Sequence, residues 1–131
     1  MKIIKITFAI ASLLIAQNAL AYSPEMSEPL CKKPKFTDFS LTEYNAQTQP
    51  EVSPEATFFF KVSSWVDPAS ISVMAKGKPL ALHIDSTSTF HKVNITLPAE
   101  MTGSFVRLNA SAKSLLGCDA QHGWLVKVAA K

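Results

Sequence analysis

Catalytic signatures are missing from this sequence. It holds no G-x-S-x-G, no H-E-x-x-H and no C-x-x-C, which excludes a nucleophile elbow, a helical zinc site and a thioredoxin-type redox pair. Acids are few, and Asp67, Asp85, Glu100 and Asp119 fall in expected turns, where carboxylates cap backbone groups and keep the surface wet. Cysteine is scarcer still: Cys31 and Cys118 are the only two. Cys118, Asp119 and His122 are residue types a thiol nucleophile and its base would use. In a small exported domain, however, an even cysteine count reads as a disulfide, which would consume that thiol. No complete set of catalytic roles remains, and the chain is read as not an enzyme.

Long apolar runs are also lacking. The one candidate, residues 6–16, stops at Gln17 and Asn18, short of the roughly 20 residues a membrane span needs. With Lys2 and Lys5 before it and Ala19-Leu20-Ala21 after it, the run reads as a secretory signal peptide over residues 1–21, with a mature chain starting at Tyr22. The mature chain then has no transmembrane segment and is expected in the periplasm or secreted. Losing Lys2 and Lys5 takes the balance from 13 basic against 10 acidic residues to 11 against 10. That near-neutrality argues against a nucleic-acid partner. Lys32, Lys33 and Lys35 form the only dense basic cluster. A Cys31–Cys118 bridge would close a loop of most of the mature chain, worth about 4 to 5 kcal/mol in the chain-entropy account before native strain is subtracted.

What is present is alternation. Residues 57–73, TFFFKVSSWVDPASISV, read as a strand, a tight corner at Asp67-Pro68 and a second, neighbouring strand. Phe58, Phe60 and Val62 share one face, and Ile71, Val73 and Ala75 resume the pattern after the corner; Phe59 departs from it on the outer side. Such a pair needs a second apolar layer, which the rest of the chain must supply. Residues 22–34, with Pro24, Pro29 and Pro34, read as an extended lead-in held by Cys31. Residues 36–41 are a short strand, and 42–54 a long connection. Ala75-Lys76-Gly77-Lys78 reads as a hairpin turn, followed by one returning strand with Leu80, Leu82 and Ile84 inward. Strands over 90–97, 105–112 and 124–129 complete a set of seven, with a turn at 98–103 and no amphipathic helix, repeat or low-complexity segment. Trp65 and Trp124 read as core residues. Short strands at regular spacing predict an all-β fold, a seven-stranded β-sandwich over residues 35–131 stapled by one disulfide.

Phe39-Ser40-Leu41, Val52-Ser53-Pro54, Val66-Asp67-Pro68-Ala69-Ser70-Ile71, Lys76-Gly77-Lys78-Pro79-Leu80, Leu97-Pro98 and Gly103-Ser104-Phe105-Val106 together resemble bacterial immunoglobulin-like domains. The nearest likeness is to the small periplasmic sandwich domains that include the CopC-type copper carriers. It covers most of residues 36–129 and implies an immunoglobulin-like fold. Many such domains are adhesive, spacer or subunit-binding modules. Copper carriers of that type begin the mature chain with a ligating His, whereas Tyr22-Ser23 stands here.

Two surfaces follow. If the strand after the corner and the last two strands lie together in one sheet, Met74, Phe105 and Leu125 project from its outer side, a patch suited to another periplasmic or membrane-associated protein. Phe59 and Phe90 do the same on the other sheet. The alternative is copper, with no other cofactor implied: His83, His91 and His122, with Met26, Met74 and Met101, are ligand types that suit Cu(II) and Cu(I). Alternation puts His83 outward and His91 in phase with inward Val93, so a shared site would need a bulge near Phe90. Asn94-Ile95-Thr96 and Asn109-Ala110-Ser111 match the glycosylation pattern, but both fall inside expected strands.

Overall fold

The computed structural model describes residues 32–131; the expected signal peptide, the lead-in as far as Leu30, Met26 and Cys31 lie outside the described residues. Eight strands are present: β1 (Phe36–Thr37), β2 (Thr57–Ser63), β3 (Ser72–Ala75), β4 (Lys78–Pro79), β5 (His83–Ser86), β6 (Phe90–Thr96), β7 (Phe105–Lys113) and β8 (Asp119–Lys127). They make two antiparallel four-stranded sheets, ordered β1-β2-β6-β5 and β4-β3-β7-β8. Helix is confined, among the described residues, to single 3-10 turns at Pro68–Ser70 and Ala99–Met101.

Alternation has the consequence expected of it. Phe58, Phe60 and Val62 of β2 and Val93 and Ile95 of β6 are buried against Val73 and Ala75 of β3, Val106, Leu108 and Ala110 of β7, and Trp124 and Val126 of β8. Phe60 and Trp124 meet across the interior with ring centroids 4.9 Å apart. Trp124 also stacks on Phe39 with centroids 4.4 Å apart, the two ring planes nearly parallel. Trp65, by contrast, is only partly buried and donates its indole N–H to the Lys33 carbonyl at 3.1 Å.

Several local readings change. The strands β2 and β3 are not sheet neighbours: the Asp67-Pro68 corner carries the chain from one sheet to the other. Asp67 caps the 3-10 turn by accepting the Ala69 N–H at 3.0 Å, and its own N–H donates to the Lys113 carbonyl at 2.9 Å. Ser70 Oγ accepts the Lys113 N–H at 2.8 Å, so the corner is held by the end of β7. The single returning strand becomes two. After a two-residue turn with Lys76 and Gly77 at φ of 51° and 78°, the type I′ geometry that matches strand twist, β4 pairs with β3 and Leu80 N–H bonds the Val73 carbonyl. The chain then crosses over, and β5 pairs with β6. That division makes eight strands where seven were expected.

The first strand is shorter than expected because Asp38 takes a φ of 54°, a left-handed conformation that Asp tolerates but a strand does not. The last begins at Asp119 rather than Trp124, since Ala120 and His122 pair with Ala112 and Ala110 in the β7–β8 ladder. The 42–54 connection is not loose. Tyr44 N–H donates to the Leu125 carbonyl, Val52 N–H to the Lys127 carbonyl, and the Val52 carbonyl accepts from Ala129 N–H. This parallel bridge between Val52 and Val128 covers the free edge of β8, the kind of edge that otherwise invites pairing with another chain.

Candidate functional site

The strands β3, β7 and β8 do lie together in one sheet, so their outward residues share a face. Along β7 that face carries Phe105, Arg107 and Asn109. Phe105 stands opposite Lys127, Arg107 opposite Leu125, and Asn109 opposite Gly123 on one side and Met74 on the other. Phe105 is 50 % exposed and Met74 37 %, while Leu125 is half-buried. The sheet brings Phe105 and Leu125 together as diagonal neighbours, a separation that aromatic side chains bridge. Met74 belongs to a different part of the face, beside Asn109 and level with Pro79 of β4.

Two features fill the space between. Gly123 has no side chain, and a Cβ built there would stand 3.0 Å from Asn109 Oδ1 and 3.1 Å from Arg107 Nη1; the amide and the guanidinium both occupy the room it leaves. Tyr44, from the 42–54 connection, sets its ring edge-on to Phe105 with centroids 4.8 Å apart. Lys127 reaches the same ring at 5.5 Å and bonds Glu51 at 3.4 Å. The surface therefore runs Tyr44, Phe105, Leu125, Arg107, Asn109, Met74: an aromatic end, a cation in the middle and a thioether at the far end. Tyr44 was not legible as part of it, because only the tertiary fold lays that connection along β8.

On the opposite outer face Phe59 and Phe90 do not stand bare. Lys92 lies 4.4 Å from the Phe59 ring centre and Lys61 4.3 Å from that of Phe90. Lys61 and Lys92 are directly opposed across β2 and β6. Two like charges so placed repel, and the crossed cation–π contacts, with the Lys61–Asp38 ion pair at 3.3 Å, offset that repulsion.

The three histidines occupy separate places. His83 is on an exposed face, 3.2 Å from Asp85. His91 is buried, as its phase with Val93 implied, with no bulge to bring it to His83. Its Nε2 lies 3.0 Å from the Val66 carbonyl and its Nδ1 2.6 Å from Ser86 Oγ. A carbonyl only accepts, so in the neutral ring Nε2 carries the proton and Nδ1 accepts from the serine. The pair resembles a nucleophile and its base, but both ring nitrogens are engaged in tying β5 and β6 to the β2–β3 corner. His122 packs on Phe36 and Trp124 on the other sheet. Met101 is buried in the core. Among the described residues no group of three or more His, Cys, Asp or Glu side chains is arranged to hold a metal ion.

One exposed apolar feature escaped the sequence reading. Leu115 and Leu116, at the tip of the β7–β8 hairpin, are 69 % and 72 % exposed, more than any other large hydrophobic described. The signal was available as two adjacent leucines in a segment that reads as loop. Compared with profiles of known protein families, with curated proteins and with solved structures, the chain matches none.

Proposed function

We propose that the protein is an exported, non-catalytic, immunoglobulin-like module that binds another periplasmic or membrane-associated protein as an accessory part of an extracytoplasmic assembly. The sheet orders support the immunoglobulin-like reading: with β1 as A, they group A, B, E and D on one side and C′, C, F and G on the other, the partition used by that fold. The observation that carries the binding role is Phe105, half exposed and edge-on to Tyr44, in a face that also offers Arg107, Leu125 and Met74. Aromatic residues, Met and Arg are the types enriched where proteins meet.

Phe105→Ser tests it. With the exported chain as bait in an envelope extract, crosslinking should capture a defined partner, and the variant should lose at least about tenfold of that capture, the effect of one interface hot spot. The cost in stability should stay near about 1 kcal/mol, the scale of one aromatic edge contact. Undiminished capture combined with a large fall in melting temperature would make Phe105 a core residue and remove the binding role.

The staple belongs to the same proposal. Lys32, next to Cys31, sets its ammonium 4.8 Å from the Trp65 ring centre, and Trp65 accepts the Leu115 N–H at 2.9 Å, three residues before Cys118. The chain just after Cys31 and just before Cys118 therefore converges on one end of the fold. Intact mass should rise by two hydrogens on reduction; an unchanged mass under non-reducing and reducing conditions removes the bridge.

A further inference from the structure

We infer that the β7–β8 hairpin tip is a membrane-contacting element, with Leu115 and Leu116 entering the headgroup region of an anionic bilayer. Single exposed hydrophobes are ordinary. Two adjacent leucines at 69 % and 72 % exposure on a hairpin tip are not, and three further features point to lipid as the occupant.

The first is charge. Lys113 ends β7 two residues before Leu115, and Lys32, Lys33 and Lys35 are brought to the same end of the fold. Trp65 bonds the Lys33 carbonyl and carries the Lys32 ammonium over its ring, Ser63 N–H bonds the Lys35 carbonyl while Lys35 N–H bonds Ser63 Oγ, and Leu115 N–H bonds the Trp65 carbonyl. The acids nearby are Asp119, opposite Lys113, and Asp67, whose carboxylate is occupied by the Ala69 N–H. Four lysines against two carboxylates leave the rim of the tip positive. Second, Trp65 sits on that rim, half-buried, the residue type that favours the bilayer–water boundary.

Third, the base of the tip pairs its own backbone. Ser114 N–H bonds the Cys118 carbonyl at 2.7 Å, Gly117 N–H bonds the Ser114 carbonyl at 2.9 Å, and Cys118 N–H bonds Ser114 Oγ at 3.1 Å. The groups left over, the Leu116 N–H and the carbonyls of residues 115–117, find partners in the polar headgroup region, which is as deep as the tip enters. A protein pocket is the less suited occupant, because lysine is depleted from protein interfaces, whereas leucine and tryptophan ringed by lysine is the composition of segments that lie in an anionic membrane surface.

The test is co-sedimentation of the exported chain with vesicles of phosphatidylcholine alone and of phosphatidylcholine mixed with phosphatidylglycerol. The mixed vesicles should bind it roughly tenfold better, and less well as salt is raised. Leu115→Ser with Leu116→Ser should lose about tenfold or more of that binding with the melting temperature unmoved, since both side chains are exposed. Should the double variant fold poorly, Leu116→Ser alone carries the test. Lys32→Ser with Lys33→Ser should remove much of the salt dependence. Absence of vesicle binding, equal binding to both lipid mixtures, or binding that survives the serine variants overturns the inference. A folded serine variant that still binds vesicles but no longer captures a protein assigns the tip to a protein contact instead.

Discussion

Trp124→Ala is expected to destabilise the fold by about 3 to 5 kcal/mol, the range for truncating a large buried aromatic whose site cannot collapse. Trp124 is 4 % exposed and touches four rings: Phe39 at 4.4 Å, His122 at 4.8 Å, Phe60 at 4.9 Å and Phe36 at 6.4 Å. Those partners come from β1, the segment after it, β2 and β8, so the indole joins the two sheets. Their positions are set by separate strand ladders and cannot all move inward to fill the gap, which is why the cavity cost adds to the transfer cost. For a domain near 100 residues such a loss lowers the melting temperature by more than about 15 °C. Thermal and urea unfolding followed by circular dichroism measure it. Trp124→Phe, which keeps a ring in the stack, should recover most of the difference. A loss below about 1 kcal/mol for the alanine variant would mean that the two sheets are not joined through this cluster.

The second large effect is expected at His91. It is 6 % exposed, and Val66, whose carbonyl it bonds, is 1 % exposed. His91→Leu keeps the volume and most of the packing but leaves that carbonyl without its donor, a cost of about 1 to 3 kcal/mol. Ser86 loses its acceptor as well, but it is exposed and water replaces the ring nitrogen. The consequence is local. The β2–β3 corner and the start of β6 should show faster amide hydrogen exchange, while the β7–β8 ladder stays protected. His91→Gln retains an N–H donor and should restore part of the stability. If the leucine variant unfolds at the wild-type denaturant concentration, the buried hydrogen bond contributes nothing and the histidine is a packing residue only.

Much of this architecture was readable before any coordinates. The period of two along residues 58–62, 91–97 and 106–112 assigned each side chain to an inner or outer face, and burial follows those assignments, including His91 inward and His83 outward. The hairpin at Lys76-Gly77 and the capping role of Asp67 were legible for the same reason, since both depend on backbone preferences of adjacent residues. The outward set Met74, Phe105 and Leu125 could be named, but not arranged. That Phe105 and Leu125 adjoin while Met74 lies beside Asn109 depends on strand register, which no single strand encodes.

Local pattern alone determined that this chain makes short strands with one greasy side, turns at known places and a single interior. Tertiary structure decided which sheet each strand joins: the corner after β2 and the crossing after β4 both change sheets, and Tyr44 reaches Phe105 only because the 42–54 connection runs along β8. The physical reason is that alternation reports the polarity on either side of a strand, a property of neighbours in sequence. Pairing is fixed by hydrogen bonds and packing between residues tens of positions apart, and several pairings satisfy the same alternation until the whole core is closed.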